Sequence, residues 1–397
     1  MFMLHSSFPV VALDTRQQDE TPKTVSNHLL NLSLALHEKL VSDRNTSRFR
    51  RRSFMTIPNL TAHIVNDDEI GSLCQVLSNE VYQPSCIQVL YFLLQSAIQH
   101  DVQEWDQLGP ALRKSHGDSL QIATFGLAPD SHRTAEQQGG EAGLVDVWSV
   151  AILWKDEYDA GIRGRFWISS EADVTYGSSP AGKHHERERS GAHIETMCRT
   201  FFKPFLHRHS GKSIFFNGTN QRWTPVLSQN GSKAYDGICT KAARRVSLQE
   251  VPKVECPPGY RLRPLEEKDI DTVIASNKIK FSREYVRSRL YLTAAVVNAE
   301  TDELASWAIT HNDMSIGALH TAPAYRKKGL AAVVVAQMGG HTIRYAISRN
   351  PLAASVLKDT FWVHAECEAY NVVAMNWFCS LGFEKVIDNT WTMIQFI

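Results

Sequence analysis

The stretch Gly317-Ala-Leu-His-Thr-Ala-Pro-Ala-Tyr-Arg-Lys-Lys-Gly-Leu-Ala-Ala332 decides how the C-terminal part of this chain is read. A short strand-like run leads to Pro323, a basic loop follows, and Gly329 opens a long apolar helix. A loop of this kind points several backbone N–H groups at one place, and the first turn of the helix adds unpaired donors and the positive end of its dipole. Gly329 has no Cβ, so an anion can approach its backbone closely. Arg326, Lys327 and Lys328 stand at the helix end where positive charge is disfavoured, so three in a row point to an anionic ligand. The expected ligand is a phosphate or pyrophosphate. The Gly-Lys-Ser/Thr of a nucleoside triphosphate loop is absent, which sets a kinase-like reading behind the others.

Outward from this segment, the pattern alternates between strands and helices. Tyr260–Pro264 reads as a strand, and Glu266–Asn277 and Ser282–Leu290 as helices. Tyr291–Asn298 and Leu304–Thr310 read as strands joined by the polar turn at 299–303, and Met314–Thr321 as a third. Gly329–Arg349 reads as one long helix, Thr360–Cys367 as a strand, Asn371–Leu381 as a helix and Thr390–Phe396 as a closing strand. This predicts an α/β domain over 259–397, a mixed twisted sheet flanked by helices.

Upstream, the segment 247–258 carries Pro252, Pro257 and Pro258, which stop a helix or central strand and mark a linker. Residues 58–246 form the candidate N-terminal α/β domain. Ile70, Leu73, Cys74, Leu77 and Val81 have helical spacing behind Asp67, Asp68 and Glu69, and a second helix is expected over Gln83–Gln99. Val145–Trp154 and Gly164–Ser169 read as a hairpin between exposed loops at Asp130–Gly143 and Ser170–Gly191. A helix over His193–Phe205 and a strand pair over Ser213–Leu227 complete that half. Residues 1–57 read as a poorly ordered extension with one helix near Val25–Leu40 and a basic cluster at Arg48–Arg52.

Composition narrows the function. With 43% apolar and 21% charged residues and a formal net charge of zero, nothing favours nucleic acid or an anionic membrane as partner. The seven cysteines are odd in number and form no Cys-x-x-Cys pair, against a disulfide framework or zinc knuckle. His184 and His185 are adjacent, so their rings diverge in regular structure and no metal site is expected. No apolar run spans a bilayer. The start lacks a basic leader, so the expected location is cytoplasmic, with mitochondrial as the alternative.

On these residues the chain resembles a known family. Arg326-x-x-Gly329-x-Ala331 after Leu319-x-Thr321-x-Pro323 resembles the coenzyme A signature of the GNAT superfamily of N-acetyltransferases. Asn371-Val-Val-Ala374, Phe378 and Leu381-Gly-Phe383 resemble its closing motif. Ala305-Ser-Trp307 with Thr321-x-Pro-x-Tyr-Arg326 looks most similar to the glycine N-acyltransferase branch, whose members carry a second, degenerate half of similar fold before the catalytic one. The resemblance implies transfer of an acyl group from acetyl-CoA or another acyl-CoA to an amine, without a metal. It implies that backbone groups of Leu319, His320 and Thr321 pair with the pantetheine arm. The amides of Lys328, Gly329, Leu330 and Ala331 would hold the pyrophosphate, flanked by Arg326 and Lys327, and Asn371 would touch the arm from the other side.

Catalysis is less well marked. The family's tyrosine acid is replaced by Phe378, and the position where many members keep a base holds Ser315. Glu366 matches the base of the ribosomal-protein alanine acetyltransferases and is the first candidate. His364 shares its strand face and is the second. Asp313, on the face of Ser315, is the third. A non-catalytic coenzyme A-binding module, and a protein N-terminal or lysine acetyltransferase, stand as alternatives. The amine and the oligomeric state stay open.

Overall fold

The computed structural model describes residues 60, 62–80, 82–126, 147–156, 161–172, 184–249, 253–279 and 281–396, with the backbone alone for 184–189. The expected N-terminal extension with its helix and basic cluster, and the loop at 130–143, lie outside the described residues.

The N-terminal half begins with β1 (Ala62–Ile64), then α1 (Ile70–Leu77), α2 (Ile87–Gln99) and α3 (Leu108–His116). Strands β2 (Gln121–Phe125), β3 (Ser149–Lys155) and β4 (Ile162–Ile168) follow, then α4 (His184–Met197) and α5 (Lys203–Arg208). The half closes with β5 (Ser213–Asn220), α6 (Thr224–Gln229) and the 17-residue β6 (Gly231–Ser247).

The C-terminal half holds β7 (Tyr260–Arg263), α7 (Ile270–Ser276), α8 (Arg283–Arg289), β8 (Thr293–Asn298), β9 (Leu304–Thr310) and β10 (Ile316–Thr321). Then come α9 (Leu330–Gln337), α10 (Arg344–Arg349), α11 (Pro351–Leu357), β11 (Thr360–Glu368), α12 (Val372–Ser380) and β12 (Glu384–Phe396).

All twelve of these strands form one sheet in the order β1-β2-β3-β4-β5-β12-β6-β11-β10-β9-β8-β7. Two pairs are parallel, β4 with β5 and β10 with β11, and the other adjacent pairs are antiparallel. The last strand of each half sits in the other half. β6 runs along the whole of β11, from Thr360↔Ser247 to Glu368↔Cys239. β12 pairs with β5 on one side and β6 on the other. The expected mixed sheet flanked by helices is therefore present, as one continuous sheet rather than two.

The halves share one further feature. In each, the helix after the first strand of the parallel pair passes through a π-helical segment, Cys198–Phe202 after α4 and Met338–Ile343 after α9. Extra residues inserted in this way shift the side chains that follow around the helix axis. The second of these segments divides what the sequence reads as one helix over Gly329–Arg349.

Other differences have local causes. The segment expected as a loop over Ser170–Gly191 already contains α4 from His184; helix formers and, from Ser190, buried residues outweigh its polarity. The second expected strand before Leu227 is α6, where Pro225 occupies a first-turn position that a helix accepts. Asn220 accepts the Arg222 N–H at 3.1 Å and starts that turn. Helix α2 begins at Ile87 rather than Gln83 and is buried almost all round, because sheet and helices enclose it. The longest strand, β6, carries no clean alternation and is missed by pattern alone.

Candidate functional site

Beyond the single registered pair Ile316↔Ala365, β10 and β11 part company. β10 keeps β9 as its neighbour through Thr321, while β11 keeps β6 through Glu368. The result is a slot between two strands whose facing edges are unpaired. β10 is bulged between Gly317 and His320, with Ala318 at φ 49°, a conformation few side-chain-bearing residues adopt. Bulges re-aim backbone groups, and this one lies where the slot opens. His320 stacks on Trp307 with ring centroids 4.7 Å apart, and Ser306 Oγ donates to the His320 carbonyl at 2.9 Å, so this strand end is fixed from the β9 side.

The slot ends at the basic loop. Tyr325 is buried and donates to Glu303 at 2.6 Å, anchoring the turn. Arg326 Nε donates to the Thr321 carbonyl at 3.1 Å, and Lys328 reaches the Tyr260 hydroxyl at 2.9 Å. Lys327 lies at φ 62° and Gly329 at φ 77°, so the chain passes through two left-handed residues before α9. Arg326, Lys327, Lys328 and Gly329 are exposed. A Cβ built on Gly329 would meet nothing within 4 Å. The amides of Lys328, Gly329, Leu330 and Ala331 donate to no described residue. Free amides around an open left-handed glycine, ringed by cations, can hold a pyrophosphate, so the residues present fit the coenzyme that the motif implies. Asn371 lies across the slot's mouth, where its side chain accepts the Ala374 N–H at 3.1 Å and caps α12.

Glu366, His364 and Asp313 are brought together in one polar cluster under α2. Three N–H donors converge on Glu366: Gln88 Nε2 at 2.5 Å and Asn389 Nδ2 at 2.6 Å on Oε1, and Trp391 Nε1 at 2.5 Å on Oε2. An ionised carboxylate offers about four acceptor positions, so one remains on this half-buried group.

Asp313 is occupied differently. Its Oδ1 accepts from the Ser315 N–H at 3.2 Å and Oγ at 2.6 Å, and its Oδ2 faces Arg165 Nη1 at 2.9 Å and Gln88 Nε2 at 3.5 Å. Burial would raise the Asp313 carboxyl, but Arg165, His364 and the Ser315 hydrogen bond outweigh it and hold it well below the usual carboxylate range. His364 Nε2 donates to the Asp313 carbonyl at 2.9 Å, leaving a buried Nδ1 without a partner among the described residues. Burial lowers its pKa to about 4, so the ring is neutral near pH 7.

Five members of this cluster carry no signal in the sequence. Gln88, Arg165 and Lys241 come from the N-terminal half, and Asn389 and Trp391 from the closing strand. Lys241 pairs in register with Glu366, is 1% exposed, and makes no hydrogen bond or ion pair with a described residue. Burial lowers its pKa, against the pull of Glu366, Glu171 and Asp313. No local motif predicts such neighbours, because strand exchange brings Lys241, Asn389 and Trp391, and the packing of α2 and β4 brings Gln88 and Arg165, from up to 278 residues away. Phe378 packs in the core against Phe383, ring centroids 5.1 Å apart, and Ser315 is held by Asp313. Among the described residues, no group of three His, Cys, Asp or Glu side chains could hold a metal ion, and no helix is long and apolar enough to cross a membrane.

The chain is similar to known proteins over part or most of its length. Residues 295–392 match the family model described as FR47-like protein. No curated protein matches the chain. Among solved structures, a Drosophila protein determined by a structural genomics consortium is similar at a TM-score of 0.53 and 15% identity, over 84% of this chain and 98% of that one. That likeness shows a shared fold over nearly the whole described chain. A GCN5-related N-acetyltransferase from Sphaerobacter thermophilus aligns at a TM-score of 0.41 and 11% identity, covering 85% of this chain and 96% of its own. A tandem GNAT protein from the clavulanic acid biosynthesis pathway aligns at 0.39 and 11%, covering 85% and 98%.

Proposed function

We propose that the C-terminal half is an acyl-CoA-dependent N-acyltransferase of the GNAT type, and that the N-terminal half is a degenerate copy of the same fold. The observation that carries the reading is the slot between β10 and β11 running into the free amides at Gly329. A parted strand pair offers an extended amide arm hydrogen-bonding edges, and the loop at its end offers a pyrophosphate its charge and donors.

In this reading Arg326, Lys327 and the amides of Lys328 to Ala331 bind the pyrophosphate, Leu319, His320 and Thr321 align the arm, and Asn371 borders it. The amine nitrogen attacks the thioester carbonyl, the C–S bond breaks, and the amine's proton goes to Glu366. Glu366 suits the role because its orientation is fixed by three donors while one acceptor position stays open. Asp313 is the anchor of the cluster, since each of its oxygens already has two donors. His364, neutral and holding the Asp313 carbonyl, positions the turn between β9 and β10. Phe378 leaves the thiolate to depart without a tyrosine acid.

The glycine N-acyltransferase-like motif directs the search to small amines such as amino acids, in the cytoplasm. The test is a mass-spectrometric screen of metabolite extract with acetyl-, benzoyl- and longer acyl-CoAs, alongside thiol release with a panel of amines. New N-acyl products that disappear with Glu366→Gln are expected. Coenzyme A binding without turnover for any amine would support the non-catalytic module instead, a reading favoured by the buried Phe378 and the engaged Ser315.

A further inference from the structure

An open cleft of about 700 Å³ lies away from the slot, between α2, the ends of β7 and β8, and the helical stretch from Gln337 to Asn350. It opens at the other end of the sheet from the basic loop. Thr293 pairs with Ile309, which pairs with Gly317, so the cavity end of β8 is level with the start of β10 and not with Thr321. Three residues of β9, Ile309 to Ser306, separate the two levels, roughly 10 Å at the usual rise.

We infer that this cavity is a second ligand site, for a small organic anion with a flat apolar body, such as an aryl carboxylate or aryl phosphate. Its volume falls within the range of small-molecule sites, about 300–1,000 Å³. Its walls are of two kinds. Ile98, Leu262, Tyr291 and Tyr345 supply apolar and aromatic surface, while Arg344 and Arg349 supply charge. Neither guanidinium has a carboxylate partner among the described residues. Arg344 Nη1 donates to the Leu248 carbonyl at 3.2 Å, and its buried Nε has no partner among the described residues. Arg349 donates to the Tyr345 hydroxyl and lies 5.2 Å over that ring.

Arg263, on the same wall, provides the contrast. It is neutralised by Asp269 and Asp302 and is thus a structural arginine. A planar anion in the cavity would meet two guanidinium forks that have no carboxylate partner among the described residues. Asp101 is the one carboxylate among the lining residues, so the wall is net positive. The π-helical segment Met338–Ile343 contributes His341 and Thr342 to the lining, and the insertion also sets where Arg344 and Arg349 emerge.

The test is calorimetric titration of the full chain with 2-naphthoate and with 2-naphthyl phosphate, each with and without saturating coenzyme A. One equivalent of at least one probe is expected to bind, undisturbed by coenzyme A. Affinity should fall at least about tenfold in Arg349→Glu, an exposed position that the fold tolerates, and further in Arg344→Met/Arg349→Met. The probe that binds more tightly identifies the anion class. Failure of both probes to bind wild-type protein would overturn the site. So would binding that Arg349→Glu and the double variant leave unchanged, or displacement by coenzyme A, which would place the probe at the basic loop. The arginine variants decide the outcome whether or not the chain has acyltransferase activity.

Discussion

The two parallel strand pairs of this sheet have the same topology and opposite fates. Between β10 and β11 the strands part after one registered pair, and their far ends are not tied to each other: Thr321 is held by Arg326, and Glu368 by Lys278 at 2.8 Å. Between β4 and β5 pairing extends over Ile162↔Ile214 to Gly164↔Phe216, and the ends are then laced together. The buried Glu171 carboxylate accepts from Ile168 N at 3.1 Å, Asn220 Nδ2 at 3.3 Å and Trp223 Nε1 at 3.0 Å. The space left there is about 10 Å³, enough for about one water molecule. The proposed cofactor slot is therefore the strand pair that the protein leaves open, while the other is filled with its own side chains. The filled copy serves instead as support, since Arg165 on β4 and Gln88 above it hold the turn and carboxylates of the open copy.

The largest expected effect comes from separating the copies. Residues 253–397 expressed alone lack β6, which leaves an unpaired edge on β11 and on β12 and removes Lys241, Gln88 and Arg165 from the cluster. This fragment should be insoluble or unfolded by circular dichroism, and co-expression with 54–252 should restore it. A folded monomeric fragment would break the idea that the halves are mutually dependent.

Next in size is the ion pair between the copies. Asp313→Asn strands a buried Arg165, at a cost of about 3–5 kcal/mol in chemical denaturation, and Arg165→Met/Asp313→Leu should recover most of it. Because the folded pKa of Asp313 is depressed, its stabilisation is fully present above the ordinary carboxylate range and is lost as pH falls through the folded value. Wild type should thus lose more stability on acidification than Asp313→Asn. Parallel pH profiles would sink the assignment.

Ligand stoichiometry sharpens the contrast. Calorimetry should find one coenzyme A per chain, and Gly329→Glu should weaken it at least about 100-fold by clash and repulsion. In the filled copy, a Cβ on Gly164 would lie 2.8 Å from Ile214 Cγ2. Gly164→Ala should accordingly cost about 1–3 kcal/mol of stability while leaving coenzyme A affinity intact. Two equivalents bound would mean that the β4/β5 slot also accepts the cofactor.

The smallest effect concerns Glu171, which burial pushes up in pKa against its Trp223, Arg222, Ile168 and Asn220 partners. A raised carboxyl is destabilising when ionised, so the melting temperature of Glu171→Gln relative to wild type should be higher above the folded pKa than below it. That advantage should shrink as pH falls and wild-type Glu171 takes up its proton. A relative melting temperature that does not change with pH would point to packing rather than charge.

Legibility follows the range of the interactions. The loop from Pro323 to Ala331 was readable because its backbone is set by consecutive residues, with Pro323 opening a turn and Gly329 left-handed before α9, and β9 was placed residue for residue because its turn chemistry and apolar run agree. Glu366 and His364 were correctly put on one strand face by period-two geometry. Asp313 was legible as a residue on the face of Ser315, but not its role as a carboxylate saturated by a partner 148 residues earlier. The 17-residue β6 was missed because each part of it has different neighbours, exposed at its start and buried around Thr240–Ala243, so no single alternation runs through it.

What the sequence by itself determined is the basic, glycine-containing loop before α9 and the alternation of strands and helices around it. These depend on neighbours within one turn or one strand. Only the tertiary structure decided that β6 and β12 change places, which of the two parallel pairs stays open, and which carboxylate keeps a free acceptor position. Those outcomes depend on side chains that meet across the sheet, and no spacing along the chain encodes such meetings.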